Sequence, residues 1–202
     1  MIKGKKNKKG CFNMNLPNRL TLVRMILTPI FLVVFMAEFI PYHYFWGLLI
    51  YSAGCITDFL DGKIARKQNI VTVFGQLADP VADKILTTAA LLVLMDAGLC
   101  SLYVVFIVLT REFAVSSFRL VAGAQGVVIP ANIWGKIKTI SQMVFTILIM
   151  LLMSLASFGV LPEAFPLEIL SNVLLWITAV LAVISGVIYI VDAVKTIDFN
   201  KN

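Results

Sequence analysis

The sequence predicts an all-α, polytopic membrane protein with six transmembrane helices and an N-terminal amphipathic interfacial helix. Three observations lead there. The 202 residues are 60% hydrophobic, with a mean hydropathy of +0.94; a soluble domain of this length is not built so. Apolar runs of about 20 residues recur along the chain, each enough to cross ~30 Å of hydrocarbon at about 1.5 Å per residue. The net charge is +6, and three of the connecting segments contain no Lys or Arg at all.

Each element follows in order. Residues 1–14 form a basic tail with Lys3, Lys5, Lys6, Lys8 and Lys9. It reads as a cytoplasmic arm beside anionic headgroups, or as a plain topology and solubility tail. The membrane domain is predicted over 15–198, and 199–202 close the chain. Its first helix is predicted over 20–39, led by an amphipathic segment over 15–24 in which Asn15 caps and Pro17 fits the first turn. Breaks at Pro41, 69–75, 96–101, 123–132 and 159–168 then separate helices over 45–66, 76–96, 102–123, 133–158 and 169–196. No internal repeat or second domain is evident.

Segments 38–44, 96–101 and 157–168 contain no Lys or Arg. The other side collects the N-terminal lysines, Lys63, Arg66, Lys67, Arg119, Lys136, Lys138, Lys195 and Lys201. Both termini are therefore expected on the cytoplasmic side of the cell membrane. Cys11, Cys55 and Cys100 are scattered and His43 is the single histidine, so neither a disulfide framework nor a zinc site is expected.

Four aspartates carry the chemistry. Asp58 and Asp61 are three apart at the cytoplasmic end of the second helix, and Asp79 and Asp83 are four apart at the start of the third. Both spacings put two carboxylates on one helix face. Charges beside long apolar runs are costly and usually functional. Carboxylate pairs without His or Cys suit hard divalent cations such as Mg²⁺ or Mn²⁺ and a two-metal site acting on phosphate. Gly62 permits close approach to the backbone, Gly75 supplies a turn or a second close approach, and Arg66 is a natural phosphate clamp.

The stretch 58–83 matches, position for position, the signature D-x2-D-G-x2-A-R-x8-G-x3-D-x3-D, and so resembles the CDP-alcohol phosphatidyltransferases. The resemblance implies a six-helix membrane enzyme, typically a homodimer, that displaces CMP from a CDP-linked lipid by a hydroxyl-bearing acceptor. It implies Asp58, Asp61 and Asp79 as ligands of two divalent cations. Asp83 would ligate or adjoin a metal and act as general base on the acceptor hydroxyl. Gly62, Ala65, Arg66 and Gly75 would shape the cytidine-diphosphate site, where Asp61 and Asp79 also lie.

In the leading segment, Asn18, Thr21 and Arg24 recur every three residues and can share a face toward the site. The segment resembles that of phosphatidylglycerophosphate synthases within the family, which implies a nucleotide-side role for Asn18 and Thr21. The alternative is an interfacial helix with snorkelling arginines.

Arg111 lies about halfway along an apolar run, where an unpaired arginine costs ~2.5–3.5 kcal/mol. Its neighbour Glu112 is expected to be a poor partner, because adjacent residues do not face each other. Arg111 is thus expected to look into a polar cavity, or to pair with an aspartate of the third helix. Arg119 follows about two turns on, on roughly the same side, and two guanidinium groups suit an anionic ligand. Lys136 and Lys138, two apart, must face different ways, one to the cavity and one to the headgroups. Thr-Arg-Glu-Phe at 110–113 with Arg119, and Gly-Lys-Ile-Lys-Thr at 135–139, resemble two further blocks of the same synthases. That resemblance implies CDP-diacylglycerol as donor and sn-glycerol 3-phosphate as acceptor. The acceptor phosphate would be held by Arg111, Arg119 and Lys136, with Arg66 shared with the donor. Expected partners are these substrates, membrane lipids and a second copy of the chain, with no nucleic acid. The rivals are another acceptor in the same family (serine, inositol phosphate or phosphatidylglycerol) and a divalent-cation transporter.

Overall fold

A computed structural model describes residues 16–68, 73–127, 129, 132–162 and 164–196, with side chains for all of these except 16–18, 59–68 and 73–80. The expected basic tail, its lysines and Asn15 lie outside the described residues. Six helices and no strand are described: α1 Leu16–Met36, α2 His43–Gln68, α3 Val73–Asp96, α4 Leu102–Ala124, α5 Ile133–Ser157 and α6 Leu167–Thr196. The window Arg19–Met36 of α1, together with α5 and α6, is long and apolar enough to cross a membrane. In α2, α3 and α4 charged residues interrupt the apolar runs, among them Asp58, Asp83, Arg111 and Glu112.

The leading segment and the first span form one continuous helix rather than two, with Pro29 inside it. No glycine and no second proline stand between Pro17 and Pro29 to break it. The second helix starts earlier than expected, at His43. Tyr42 adopts φ +59° there, and its carbonyl accepts from Phe45 N and Trp46 N at 2.9 and 3.2 Å. The third helix begins at Val73 and absorbs Gly75.

α1 packs against both α2 and α3, which touch each other little, while α5 joins α2 to α6 and α6 carries α4. The aspartate-bearing ends of α2 and α3 both lie against α1, through which Asp58 and Asp83 meet. A smaller core cluster of Val115, Ala122, Tyr189 and Ala193 joins α4 to α6, and the larger one fills the half of the bundle away from those ends. Phe31 packs on Phe35 and Tyr51 with ring centroids 5.6 and 5.7 Å apart, and Leu91, Leu94, Val104, Val108, Ile149, Met150 and Leu175 complete it. Close helix approach depends on missing side chains. A Cβ on Gly47 would stand 2.5 Å from Phe35 Cδ2, and one on Gly54 2.7 Å from Leu86 Cδ2.

The outer surface is apolar on every helix: Val33, Ile56, Leu92, Phe106, Ile140 and Val187 are exposed. The interior meanwhile buries Thr21, Thr28, Gln142, Thr146, Ser154, Thr178 and Ser185. Several of these hydroxyls return to their own helix, as Ser154 Oγ does to Met150 O at 2.8 Å and Ser185 Oγ to Ala182 O at 3.1 Å. Apolar side chains outward and satisfied hydroxyls inward is the arrangement of helices solvated by lipid.

Candidate active site

Of the residues recurring every three on α1, Thr21 and Arg24 are buried; Thr28, four after Arg24, is buried with them, and its Oγ1 donates to Arg24 O at 3.0 Å. From there Arg24 reaches the aspartates. Its Nη1 lies 2.7 Å from Asp58 Oδ1 on α2, and the same atom is ion-paired with Asp83 Oδ1 on α3. Arg24 is 1% exposed, whereas Asp58 and Asp83 are 39% and 49% exposed. The guanidinium approaches from inside, and the carboxylates keep an open outer side.

Two of the four grid aspartates are therefore brought together, across helices rather than along one. Asp61 lies three positions after Asp58 on α2, and Asp79 four before Asp83 on α3. Their side chains lie outside the described residues, as do those of Asn18, Ala65 and Arg66; Gly62 on α2 and Gly75 on α3 fall in the same stretches. Among the described residues no three His, Cys, Asp or Glu side chains cluster. What is described fits a hard cation. Two carboxylates converge on one positive group and offer oxygen alone, with neither imidazole nor thiolate within the pair.

A second constellation joins α4, α5 and α6. Arg111 Nη1 is 3.0 Å from Glu112 Oε1, and Lys138 Nζ is 2.5 Å from the same oxygen. Arg111 Nε also donates to Ser185 Oγ at 3.1 Å. The expectation that Arg111 and Glu112 would not pair is corrected: both long side chains lean into the α4–α5–α6 seam and meet there, with Lys138 completing the cluster. Two glycines make room for the arginine. A Cβ on Gly135 would stand 3.2 Å from Arg111 Nη2, and one on Gly186 3.0 Å from Arg111 Cγ. A cleft of about 260 Å³ between α4 and α6 runs beside it, lined by Phe106, Thr110, Gly186 and Val187.

The two lysines of α5 do face different ways. Lys138 is the inward one, on the face it shares with Gln142 and Thr146, while Lys136 is exposed. Arg119 is exposed near the end of α4, its guanidinium carbon 5.9 Å from the Tyr189 ring centroid. Lys84 was missed by sequence reasoning. It follows Asp83 directly, its Nζ bonds Ser116 Oγ on α4, and it lies 5.8 Å from the Phe113 ring centroid. The signal available was the single basic residue of α3, set beside its aspartates. Lys84 thus ties the aspartate-bearing helix to the cationic one. The described carboxylates beside Arg111, Lys138, Lys84 and Arg119 are Glu112 and, next to Lys84, Asp83, so this side of the site carries a positive excess suited to an anion.

Residues 14–184 match the family described as CDP-alcohol phosphatidyltransferase. The chain is 36% identical over 187 residues to a Bacillus subtilis protein named CDP-diacylglycerol–glycerol-3-phosphate 3-phosphatidyltransferase, covering 85% of this chain and 91% of the relative. A Rickettsia bellii protein of the same name is 35% identical over 175 residues, covering 87% and 93%. A Mycobacterium tuberculosis protein named probable phosphatidylglycerophosphate synthase is 36% identical over 191 residues, covering 91% and 83%. The aspartates that meet across α1, the positive seam beside them and a match over most of the length lead to one conclusion: the chain belongs to the CDP-alcohol phosphatidyltransferase family of integral membrane proteins.

Proposed function

We propose that this chain is a CDP-diacylglycerol–glycerol-3-phosphate 3-phosphatidyltransferase. It moves the phosphatidyl group of CDP-diacylglycerol to sn-glycerol 3-phosphate, giving phosphatidylglycerophosphate and CMP. The observation that carries the reading is the juxtaposition on α3: Asp83 belongs to the carboxylate pair, and the next residue, Lys84, reaches α4 and its cations. The relatives named for this reaction support the choice of acceptor. The membrane domain, residues 15–198, crosses the bilayer six times, with both termini and the site on the cytoplasmic side and the start of α1 at the interface. The lack of Lys and Arg in 38–44, 96–101 and 157–168 supports that orientation. The working form is a homodimer.

Asp58, Asp61, Asp79 and Asp83 would hold two divalent cations, Mg²⁺ or Mn²⁺, which offset charge building on the diphosphate. Asp83, with its open outer side, takes the proton from the acceptor hydroxyl. The hydroxyl oxygen then attacks phosphorus in line and CMP leaves, inverting the phosphorus centre in one step. A single displacement of this kind needs no covalent intermediate on the enzyme. Gly62, Ala65 and Gly75 bring the backbone close to the cytidine diphosphate, and Asn18 and Thr21 lie on its nucleotide side. Arg66 sits between donor and acceptor. Arg111, Arg119 and Lys136 receive the acceptor phosphate, and Lys84 and Lys138 add to the positive field there. Arg111 does so while paired, since Glu112 neutralises only one of the two cations it touches.

The test is CMP release by purified protein in detergent, with CDP-diacylglycerol, Mg²⁺ or Mn²⁺, and glycerol 3-phosphate, serine, inositol phosphate or phosphatidylglycerol in turn. Release with glycerol 3-phosphate alone, stopped by EDTA, is expected. Release with another acceptor would keep the family and overturn the acceptor. Divalent-cation uptake without CMP release would point to a transporter. Arg119→Ala is expected to raise KM for glycerol 3-phosphate by about 10–100-fold with kcat nearly unchanged, as loss of one charge-assisted contact implies. An unchanged KM in steady-state kinetics would remove Arg119 from the acceptor pocket.

A further inference from the structure

The arginine between the aspartates is more than a structural tie. We propose that Arg24 is a built-in counter-cation: it occupies the shared seat of the carboxylates in the metal-free protein and is exchanged for a divalent cation when the site loads. The proposal rests on the reading of Asp58 and Asp83 as metal ligands given above.

One nitrogen, Nη1, engages Oδ1 of both aspartates, which come from two different helices. Carboxylates held this close repel each other without a positive charge between them. The guanidinium is charged at every working pH, and at 1% exposure it needs a compensating anion wherever it lies. A divalent cation held by Asp58 and Asp83 would compete with the guanidinium for the same two carboxylates. The carboxylates, 39% and 49% exposed, are open to an incoming ion from outside, while Arg24 holds them from α1 within the bundle. Loading is therefore an exchange: the ion takes the oxygens, the guanidinium gives them up at the cost of its own pairing, and no covalent bond changes. Metal affinity is set by this competition as well as by the ligands.

The exchange makes Arg24 stabilising in one state only, and that can be read without activity. Mn²⁺ binding, followed by the electron paramagnetic resonance of the free ion, and thermal unfolding in EDTA or in saturating Mn²⁺ are measured on the full chain in detergent. Arg24→Gln is expected to bind Mn²⁺ on the order of tenfold more tightly. It should melt below wild type in EDTA and together with wild type in saturating Mn²⁺, because the ion pair exists only in the metal-free state. If the variant melts lower by the same amount in both conditions, the pair persists in the loaded site and the exchange is wrong. Unchanged or weaker Mn²⁺ binding also overturns it. Arg24→Lys, a shorter cation unable to span both carboxylates equally, should fall between the two. It carries the same comparisons if Arg24→Gln cannot be purified. Asp58→Asn separates this proposal from the one beneath it. If wild type binds no Mn²⁺, or Asp58→Asn binds it as wild type does, the metal site itself fails.

Discussion

Asp83→Asn is expected to reduce CMP release by a factor of about 10²–10⁴ while leaving a folded protein, as loss of a positioned general base does. The substitution keeps the shape of the side chain and removes its basicity. It also removes one of the carboxylates described on Arg24, but Asp58 remains 2.7 Å from the same nitrogen. The buried guanidinium therefore keeps an anionic partner and the α1–α2 contact survives. Asp83 is half exposed, so no cavity is created. The measurement is CMP release under single-turnover conditions, alongside a melting curve and a sizing profile in detergent. If the variant melts as wild type and turns over at more than a tenth of its rate, Asp83 is not the base. A variant that aggregates would be replaced by Asp83→Glu, which keeps the charge but displaces the oxygen by one methylene.

The second large effect concerns stability. Glu112→Gln is expected to cost about 3–5 kcal/mol, the usual penalty for breaking a buried ion pair from one side. Glu112 is the shared anion of Arg111 and Lys138, and Lys138 is 2% exposed. Without the carboxylate, two cations face each other in the seam with Ser185 as the remaining described partner of the arginine. For a chain of this size the loss corresponds to a melting temperature lowered by roughly 6–20 °C. Lys138→Met is the contrasting variant. It leaves Arg111 and Glu112 paired at 3.0 Å and replaces a desolvated ammonium by an apolar chain of similar length, so its cost should be small. Thermal unfolding of both variants in one detergent decides the matter. Similar losses in both would mean that the charges in the seam are less coupled than their shared oxygen implies.

Helix number and placement were legible in the sequence because lipid leaves few options. Backbone groups must be satisfied within each segment, so long apolar runs become helices and proline, glycine and loop-rich stretches end them. The missed boundaries show where that logic stops. The leading segment is amphipathic and the first span apolar, yet α1 runs through both, because helix continuity depends on backbone hydrogen bonds and not on what surrounds the helix. His43 and Val73 start their helices earlier than the apolar runs do, for the same reason.

The candidate site was legible in part. Spacing placed Asp58 with Asp61 and Asp79 with Asp83 on common faces, since helix geometry is local. Contacts between helices have no such period. That Asp58 meets Asp83 through α1, and that Lys84 crosses to Ser116, follow from how the bundle is packed. Arg111 with Glu112 is the clearest case. The rule that neighbours on a helix do not face each other holds for a free surface. It fails where both chains lean into one seam and a third charge from α5 draws them together.

The sequence by itself determined the helical class, the four aspartates and their spacing, the basic residues of α4 and α5, and the resemblance that the family match then bore out. Each of these is a property of residue type at a fixed separation along the chain. Only the tertiary structure decided that Arg24 belongs to the carboxylate site, that Lys138 rather than Lys136 turns inward, and that Glu112 serves two cations. Those outcomes depend on which faces of distant helices touch. A buried charge takes the partner that packing delivers to it, whatever the distance between the two along the chain.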